Sequence, residues 1–85
     1  MYKLKFTDQS LDDLKYFAKT NPVLYKRCRK LLEELQSHST TGSGKPEKLR
    51  FNLVGKWSRR VNREHRLVYE ILENNVIVYA TRFHY

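Results

Sequence analysis

The hydrophobic residues of this chain change their spacing part-way along it, and that change restricts the possible folds more than any other feature. Leu11, Leu14, Phe17 and Ala18 recur at intervals of three and four residues, and the apolar residues between 24 and 35 do the same. Such spacing places apolar side chains on one face of a helix. From residue 57 onward, apolar and polar residues alternate instead, which is the period of a half-buried β-strand. Helices followed by consecutive strands predict an α+β fold.

The predicted elements have recognisable boundaries. Residues 2–6 alternate as a first strand, and Thr7 suits the N-cap of the helix that follows. Asn21-Pro22 ends that helix and begins a second one. Three further strands are predicted, at Trp57 to Val61, Arg66 to Leu72 and Val76 to Phe83. The predicted order is therefore strand-helix-helix-strand-strand-strand, with two N-terminal helices packed on one face of a mainly antiparallel sheet and the other face left for a ligand.

Length and composition restrict the class of protein. With 85 residues the chain is expected to form a single domain over residues 1–85. No apolar run approaches the roughly 20 residues that cross a bilayer, and no signal peptide is recognisable, so no membrane association is expected. The single cysteine, Cys28, falls on the buried stripe of the second helix and is predicted to be a core residue. Together these features favour the reducing cytoplasm.

A basic segment runs from the loop after the second helix through the predicted strand Trp57 to Val61 and ends at Arg66. The chain has a net charge of +8, and residues 44–66 contain eight basic residues with only two acids, Glu47 and Glu64. Such a segment attracts polyanions through interactions that weaken with salt. A solvated surface is the alternative interpretation. Aromatic and apolar residues are interleaved with the cations, which favours nucleic-acid binding.

Strand alternation sorts these cations between the two faces of the sheet. Ser58 and Arg60 share one face, and Arg66 can lie on the same face of the neighbouring strand. Arg59 falls on the side of Trp57, which is an awkward place for a charge. Arg59 is grouped with the RNA-binding cations, a role that it can have if it lies at a twisted strand end. The alternative is that it is a buried partner for a carboxylate.

The residue types present are those that metal-free cleavage of RNA requires. The ribose 2′-hydroxyl attacks the adjacent phosphorus while a base removes its proton, an acid protonates the departing 5′-oxygen, and cations hold the phosphate charge. Glu47 is the candidate base and His84 the candidate acid, with Tyr85 as a second donor or a base-stacking platform. Arg66 and Arg60 are candidate phosphate clamps. The residues expected to line the approach are Lys45, Lys48 and Arg50.

Other chemistries fit less well. The chain has no glycine-rich phosphate loop between a strand and a helix, and no paired carboxylates at metal-binding spacing. His38, His65 and His84 lack cysteine or acidic partners, so they do not form a zinc motif. No metal and no cofactor are therefore expected.

Motifs along most of the chain resemble a known family. They are Gly44-Lys45-Pro46-Glu47, Trp57-Ser58-Arg59-Arg60, Glu64-His65-Arg66-Leu67-Val68-Tyr69 and the terminal Arg82-Phe83-His84-Tyr85. In this order and spacing they resemble the YoeB family of type II toxin–antitoxin toxins, within the wider RelE-like group. Two departures are visible: Arg50 stands where the family has a lysine, and Phe83 where it more usually has a tyrosine.

The resemblance implies a function and partners. It implies a bacterial, ribosome-dependent endoribonuclease that cuts mRNA in the decoding site and stops translation. Its partners would be the 70S ribosome, mRNA and a YefM-like antitoxin, with a homodimer possible. It assigns Glu47 as general base, Arg66 as phosphate stabiliser and His84 as general acid, with Tyr85 also in the site.

Two alternatives stay open on the sequence. One is a ParE-like gyrase inhibitor on the same scaffold, which would not need Glu47, Arg66 and His84 together. The other is a passive RNA-binding module in which Trp57, Tyr69 and Tyr85 stack on bases. Only the ribonuclease would leave a 2′,3′-cyclic phosphate or its 3′-phosphate product, together with a 5′-hydroxyl.

Overall fold

Two helices and five strands make up the fold in the computed structural model, which describes residues 2–37, 40–50 and 53–83. The elements are β1 (Lys3–Phe6), α1 (Asp8–Thr20), α2 (Pro22–Ser37), β2 (Glu47–Lys48), β3 (Lys56–Arg60), β4 (Arg66–Leu72) and β5 (Asn75–Phe83). The predicted order is confirmed, with one addition. Strand β2 has two residues, too few to show an alternating pattern, and the sequence therefore gave no sign of it.

The strands form one sheet in the order β1-β5-β4-β3-β2. Strand β1 is parallel to β5 and every other neighbouring pair is antiparallel. The sheet is therefore mainly antiparallel, as predicted. The parallel pair arises because the chain crosses over through α1 and α2, whereas β3, β4 and β5 follow one another through short turns. This order leaves the short strand β2 at one edge of the sheet.

The helix boundaries follow the predicted capping residues. The Thr7 hydroxyl accepts a hydrogen bond from the Ser10 amide (3.1 Å) at the start of α1. The Asn21 amide donates to the Phe17 carbonyl (2.8 Å) at the end of α1. The Asn21 side chain accepts from the Leu24 amide (3.3 Å) in the first turn of α2. One asparagine thus serves both helices, and α2 begins at Pro22, where the missing proline N–H needs no partner.

The core lies between the two helices and one face of the sheet. Its buried residues include Phe17, Cys28, Leu31, Leu35, Leu67, Tyr69, Val76 and Val78. The helices therefore cover one face of the sheet with their apolar stripes, as predicted.

No helix in the described ranges is both long and apolar enough to span a bilayer.

Two residues differ from the alternation expected along their strands. Alternation along β4 predicts that Val68 shares the open face with Arg66, yet only 2% of it is exposed. Val68 lies opposite the buried Ser58 on β3 and is not a member of the helix-side core, and the pairing of β4 with β5 is irregular on both sides of it. The alternation of residues 2–6 predicts that Phe6 is half-buried, but it is 38% exposed because it ends the edge strand β1.

Candidate functional site

A carboxylate and a guanidinium lie together on the face of the sheet away from the helices. Oε2 of Glu47 is 3.5 Å from Nη2 of Arg66. Glu47 comes from the edge strand β2 and Arg66 from the first position of β4, so the intervening strand β3 separates their backbones. The Arg66 side chain is 17% exposed and the Glu47 side chain 61% exposed. The carboxylate therefore faces solvent beside a well-held cation.

Ser58 orients that cation, and the sequence did not single it out. Its buried hydroxyl accepts a hydrogen bond from Nε of Arg66 at 2.8 Å. In the register of the sheet Ser58 lies opposite Glu47 on one side and Val68 on the other. The Arg66 side chain therefore reaches across β3 to Glu47 with Ser58 supporting it on the way. The sequence indicated only that Ser58 lies on the same strand face as Arg60, and this position could have pointed to contact with a cation on that face.

Among the described residues, the register of β3 with β4 places the cation Arg60 next to the Glu47–Arg66 pair. It lies directly opposite Arg66 in the antiparallel pairing of β3 with β4, and it is exposed. Two like charges in directly opposite positions repel each other unless an anion joins them. Lys45 and Arg50 are also exposed, on the segments before and after β2. Arg60 and Arg66 make the face attractive to a phosphate group.

Lys48 lies on the other side of β2. It is paired with Trp57, and its Nζ lies 5.6 Å from the centre of the Trp57 ring, which packs against the helix-side core. Because successive residues of a strand point to opposite faces, Lys48 faces away from Glu47. The structure therefore does not bring Lys48 to the Glu47–Arg66 pair, although it was grouped with the phosphate-binding residues.

Arg59, also grouped with those residues, is completely buried. Nη1 lies 3.5 Å from Oε1 of Glu34 on α2, and Nη2 donates to the Thr41 carbonyl at 2.6 Å. This is the second of the two placements considered from the sequence, a buried partner for a carboxylate. Its guanidinium is engaged inside the protein rather than exposed on the face that carries Arg60 and Arg66.

The last described residue of β5 reaches the same end of the sheet. Phe83 is paired with Arg66 across the β4–β5 ladder. The two predicted catalytic residues that follow it, His84 and Tyr85, lie outside the described residues. The described chain therefore leaves β5 directly beside Arg66.

The sequence matches a protein-family model, described as the YoeB-like toxin of bacterial type II toxin–antitoxin systems, over residues 6–85. Two relatives named Toxin YoeB are similar over almost their whole length. The one from Escherichia coli K12 is 39% identical, covering 98% of this chain and 99% of the relative. The one from Synechocystis is 42% identical, covering 98% and 96%. This chain belongs to the YoeB-like toxin family.

Solved structures agree in fold. A YoeB/ParE toxin from Agrobacterium tumefaciens superposes with a TM-score of 0.91 at 34% identity, covering 98% of this chain and 99% of that one. The YoeB dimer from Staphylococcus aureus gives a TM-score of 0.88 at 38% identity, covering 99% and 98%. The toxin of a YoeB–YefM complex from the same organism gives 0.87 at 38%, covering 100% and 99%. The RelE-like fold implied by the motifs is confirmed.

In this YoeB-like toxin, α1 anchors the end of β5 that leads to the terminal residues. Oδ2 of the buried Asp13 accepts hydrogen bonds from the backbone amides of Thr81 (2.9 Å) and Arg82 (3.2 Å). The Arg82 guanidinium lies 3.5 Å from the centre of the Tyr16 ring, a cation–π contact with the same helix. Both contacts fix the direction in which the chain runs towards Phe83.

Tyr69 and Tyr79 are engaged within the protein. Tyr69 is fully buried, and burial raises the pKa of its hydroxyl. This contradicts the stacking role that the passive-module alternative gave to Tyr69. The Tyr79 hydroxyl donates to Oε1 of Glu70 at 2.6 Å, and this hydrogen bond raises the pKa of Tyr79.

His65 and Cys28 have structural surroundings in this YoeB-like toxin. The His65 ring meets the Phe17 ring edge-on, with the two ring centres 5.2 Å apart. His65 also lines a cavity of about 260 Å³ between α1 and the β3–β4 turn. Burial raises the pKa of the Cys28 thiol to about 12, which keeps it protonated. The prediction that Cys28 is a core residue is confirmed. Within the described part of the chain no three metal-binding side chains come together.

Proposed function

We propose that this chain is a ribosome-dependent endoribonuclease that cuts mRNA in the ribosomal A site and inhibits translation as the toxin of its module. The observation that carries the proposal is the contact between the Glu47 carboxylate and the Arg66 guanidinium, 3.5 Å apart on an exposed face. A proton acceptor next to a fixed cation is what attack by a ribose hydroxyl on a phosphate requires.

In the proposed reaction Glu47 removes the proton from the 2′-hydroxyl as the 2′-oxygen forms a bond to phosphorus. Arg66, held by Ser58, and Arg60 neutralise the charge that develops on the phosphate oxygens. The bond from phosphorus to the 5′-oxygen then breaks, and His84 gives that oxygen a proton, with Tyr85 as the second donor in the site. The products are a 2′,3′-cyclic phosphate, or the 3′-phosphate formed by its hydrolysis, and a 5′-hydroxyl. No step requires a metal ion or a cofactor.

The existing Glu47–Arg66 contact suits this sequence of events. An ion pair with a carboxylate as exposed as that of Glu47 contributes little to stability, so an incoming phosphate can take over Arg66 without a large energetic penalty. Arg66 then binds the substrate while the Glu47 carboxylate stays within reach of the nucleophile. Ser58 keeps the guanidinium in place during this exchange of partners.

The partners proposed are the ribosome with its mRNA and an antitoxin. The net charge of +8 and the exposed cations around the site favour binding to ribosomal RNA and mRNA in the bacterial cytoplasm. A YefM-like antitoxin is proposed because a similar toxin from Staphylococcus aureus is described in a YoeB–YefM complex. A homodimer is proposed because a similar toxin from that organism is described as a dimer.

Cleavage of mRNA on programmed ribosomes tests the enzymatic proposal. Purified wild type is compared with Glu47→Gln and His84→Gln, and with the control Glu33→Gln, which changes an exposed glutamate on α2. Loss of the general base or acid should slow cleavage by about 10²–10⁴-fold. The control should cleave like wild type. The same assay with Tyr85→Phe decides whether the phenol is the proton donor.

Mapping both ends of the cut separates the remaining alternatives. A 5′-hydroxyl supports attack by the ribose, whereas a 5′-phosphate would show that water attacks instead. Ribosome binding without cleavage would favour a passive module, and inhibition of gyrase without cleavage would favour a ParE-like poison. Either result overturns the proposal.

A further inference from the structure

The buried Arg59 contacts the segment that leads to Glu47. Its guanidinium donates to the Thr41 carbonyl at 2.6 Å and to the Ser43 carbonyl at 3.4 Å. It also lies 3.5 Å from both Oε1 of Glu34 and the Tyr69 hydroxyl. A buried guanidinium is strongly unfavourable without such partners. The loop before β2 is therefore bound to the core through its backbone oxygens.

Glu34 holds the same loop from the helix side. Its Oε1 accepts a hydrogen bond from the Ser43 amide at 2.8 Å. That hydrogen bond, together with the charge of Arg59, holds the pKa of Glu34 below its ordinary value, so the carboxylate is ionised at neutral pH. Glu34 belongs to α2 and Arg59 to β3, so their contact connects the helix layer, the loop and the sheet.

The loop then follows the backbone of β3 up to Glu47. The Gly44 carbonyl accepts from the Arg60 amide at 2.7 Å. Gly44 has φ +80°, and a Cβ at this position would lie 2.9 Å from the Arg60 carbonyl oxygen, so only glycine allows so close an approach. Three residues later Glu47 pairs with Ser58. The place of Glu47 beside Arg66 therefore depends on how the loop is fixed at residues 41–44.

We propose that Arg59 and Glu34 are positioning residues for Glu47. They act through the loop of residues 41–46 and do not touch RNA. The inference deepens the proposed ribonuclease function and rests on it, since it assumes that Glu47 is the base. A displacement of about 1 Å in a catalytic group can slow a reaction by about 10²-fold, so this support matters to the rate even though it is remote from the chemistry.

A double-mutant cycle tests whether Glu34 acts through Glu47. Glu34→Ala should lower kcat for mRNA on programmed ribosomes by at least about tenfold, with KM changed less than about twofold. In the Glu47→Gln background the same substitution should have an effect below about twofold, because the group it positions is already gone. Glu34→Gln keeps an oxygen acceptor for the Ser43 amide and should recover much of the rate. Glu33→Ala, an exposed neighbour on α2, is the matched control.

A second readout does not depend on catalysis. Amide hydrogen exchange at Ser43, Arg60 and Leu49 should accelerate about tenfold or more in Glu34→Ala, while the amides of β4 keep their wild-type protection. These amides report on the loop, on its contact with β3 and on the residue after β2, where the Leu49 amide donates to the Lys56 carbonyl at 2.9 Å. If Glu34→Ala does not fold, Gly44→Ala displaces the same loop with Glu34 and Arg59 intact, and the same acceleration is expected.

The outcomes separate this inference from the proposed function. Equal losses of rate in the wild-type and Glu47→Gln backgrounds, or unchanged exchange at the three amides, would overturn the positioning role. A variant Arg59→Lys that raises KM and leaves kcat unchanged would show that Arg59 binds RNA directly, which also overturns it. If exchange accelerates in Glu34→Ala but the wild-type protein cuts no RNA, the ribonuclease proposal is overturned and the loop anchor stands.

Discussion

Removing the Ser58 hydroxyl is the sharpest test of how the Arg66 guanidinium is held. The hydroxyl accepts a hydrogen bond from Nε of Arg66 at 2.8 Å inside the sheet, where Ser58 is fully buried. Ser58→Ala removes one oxygen and keeps the Cβ, so the packing of β3 changes little. What changes is the orientation of the cation that faces Glu47.

The size of the effect follows from the hydrogen bond. A bond to a charged donor contributes about 1.5–3 kcal/mol. If that contribution is fully expressed in the transition state, where the phosphate charge is greatest, kcat should fall by roughly 10–100-fold, since about 1.4 kcal/mol corresponds to a factor of ten. If it is expressed equally in the bound substrate, KM rises and kcat is unchanged. Because the hydrogen bond already orients the guanidinium before substrate binds, we expect kcat to fall.

The assay is cleavage of a defined mRNA on programmed ribosomes under single-turnover conditions. Ser37→Ala, which removes an exposed hydroxyl at the end of α2, is the control. Ser37→Ala should melt like wild type, whereas Ser58→Ala should melt at a lower temperature because it loses a buried hydrogen bond, so its cleavage is measured well below that temperature. A Ser58→Ala variant that folds and cleaves at the wild-type rate would refute the role given to this hydrogen bond.

Three further predictions concern the scaffold. Asp13→Ala removes the acceptor for the Thr81 and Arg82 amides and should lower the free energy of unfolding by about 2–3 kcal/mol in urea denaturation. Cys28, whose pKa is raised to about 12, should not react with iodoacetamide at pH 8 in the native protein and should react in guanidinium chloride. Because the folded-state pKa of Glu34 lies below its ordinary value of 4.5, its ionised form stabilises the protein above that pH. The stability difference between wild type and Glu34→Gln should shrink as the pH falls below 4.5.

Each of these has a result that would contradict it. Asp12→Ala, an exposed neighbour of Asp13, should unfold like wild type, and an equal loss in both variants would remove the special role of the buried carboxylate. Rapid alkylation of native protein would show that Cys28 is reachable. A stability difference for Glu34→Gln that stays constant between pH 7 and pH 3 would show that the ionised carboxylate contributes nothing specific.

Local patterns in the sequence predicted the elements well because they report on nearest neighbours along the chain. Thr7 and Asn21 cap their helices where expected, and the apolar stripe of α2 is buried at Cys28, Leu31 and Leu35. Strand β4 has the predicted bounds, Arg66–Leu72. The motifs also predicted the family correctly, since residue type and spacing are preserved over almost the whole chain.

Contacts between distant residues were predicted less well. The sequence grouped Arg59, Arg60 and Lys48 as cations of one basic segment, yet the sheet sends Arg59 into the core and Lys48 to the face with Trp57. It gave no role to Ser58, because a single serine in a strand has no distinctive pattern. The convergence of a general acid at His84 with Glu47 stays a prediction.

The sequence by itself determined the helices, the strands, the charge and the choice of Glu47 and Arg66 as chemically competent residues, since each of these depends on residue type and on short spacings. Only the tertiary structure decided that the two side chains face each other across β3 and that Arg59 holds the loop that leads to Glu47. The physical reason is register: side chains on a strand alternate between two faces, so a shift of one residue in the pairing of β2 or β4 with β3 would turn the carboxylate or the guanidinium to the opposite side of the sheet.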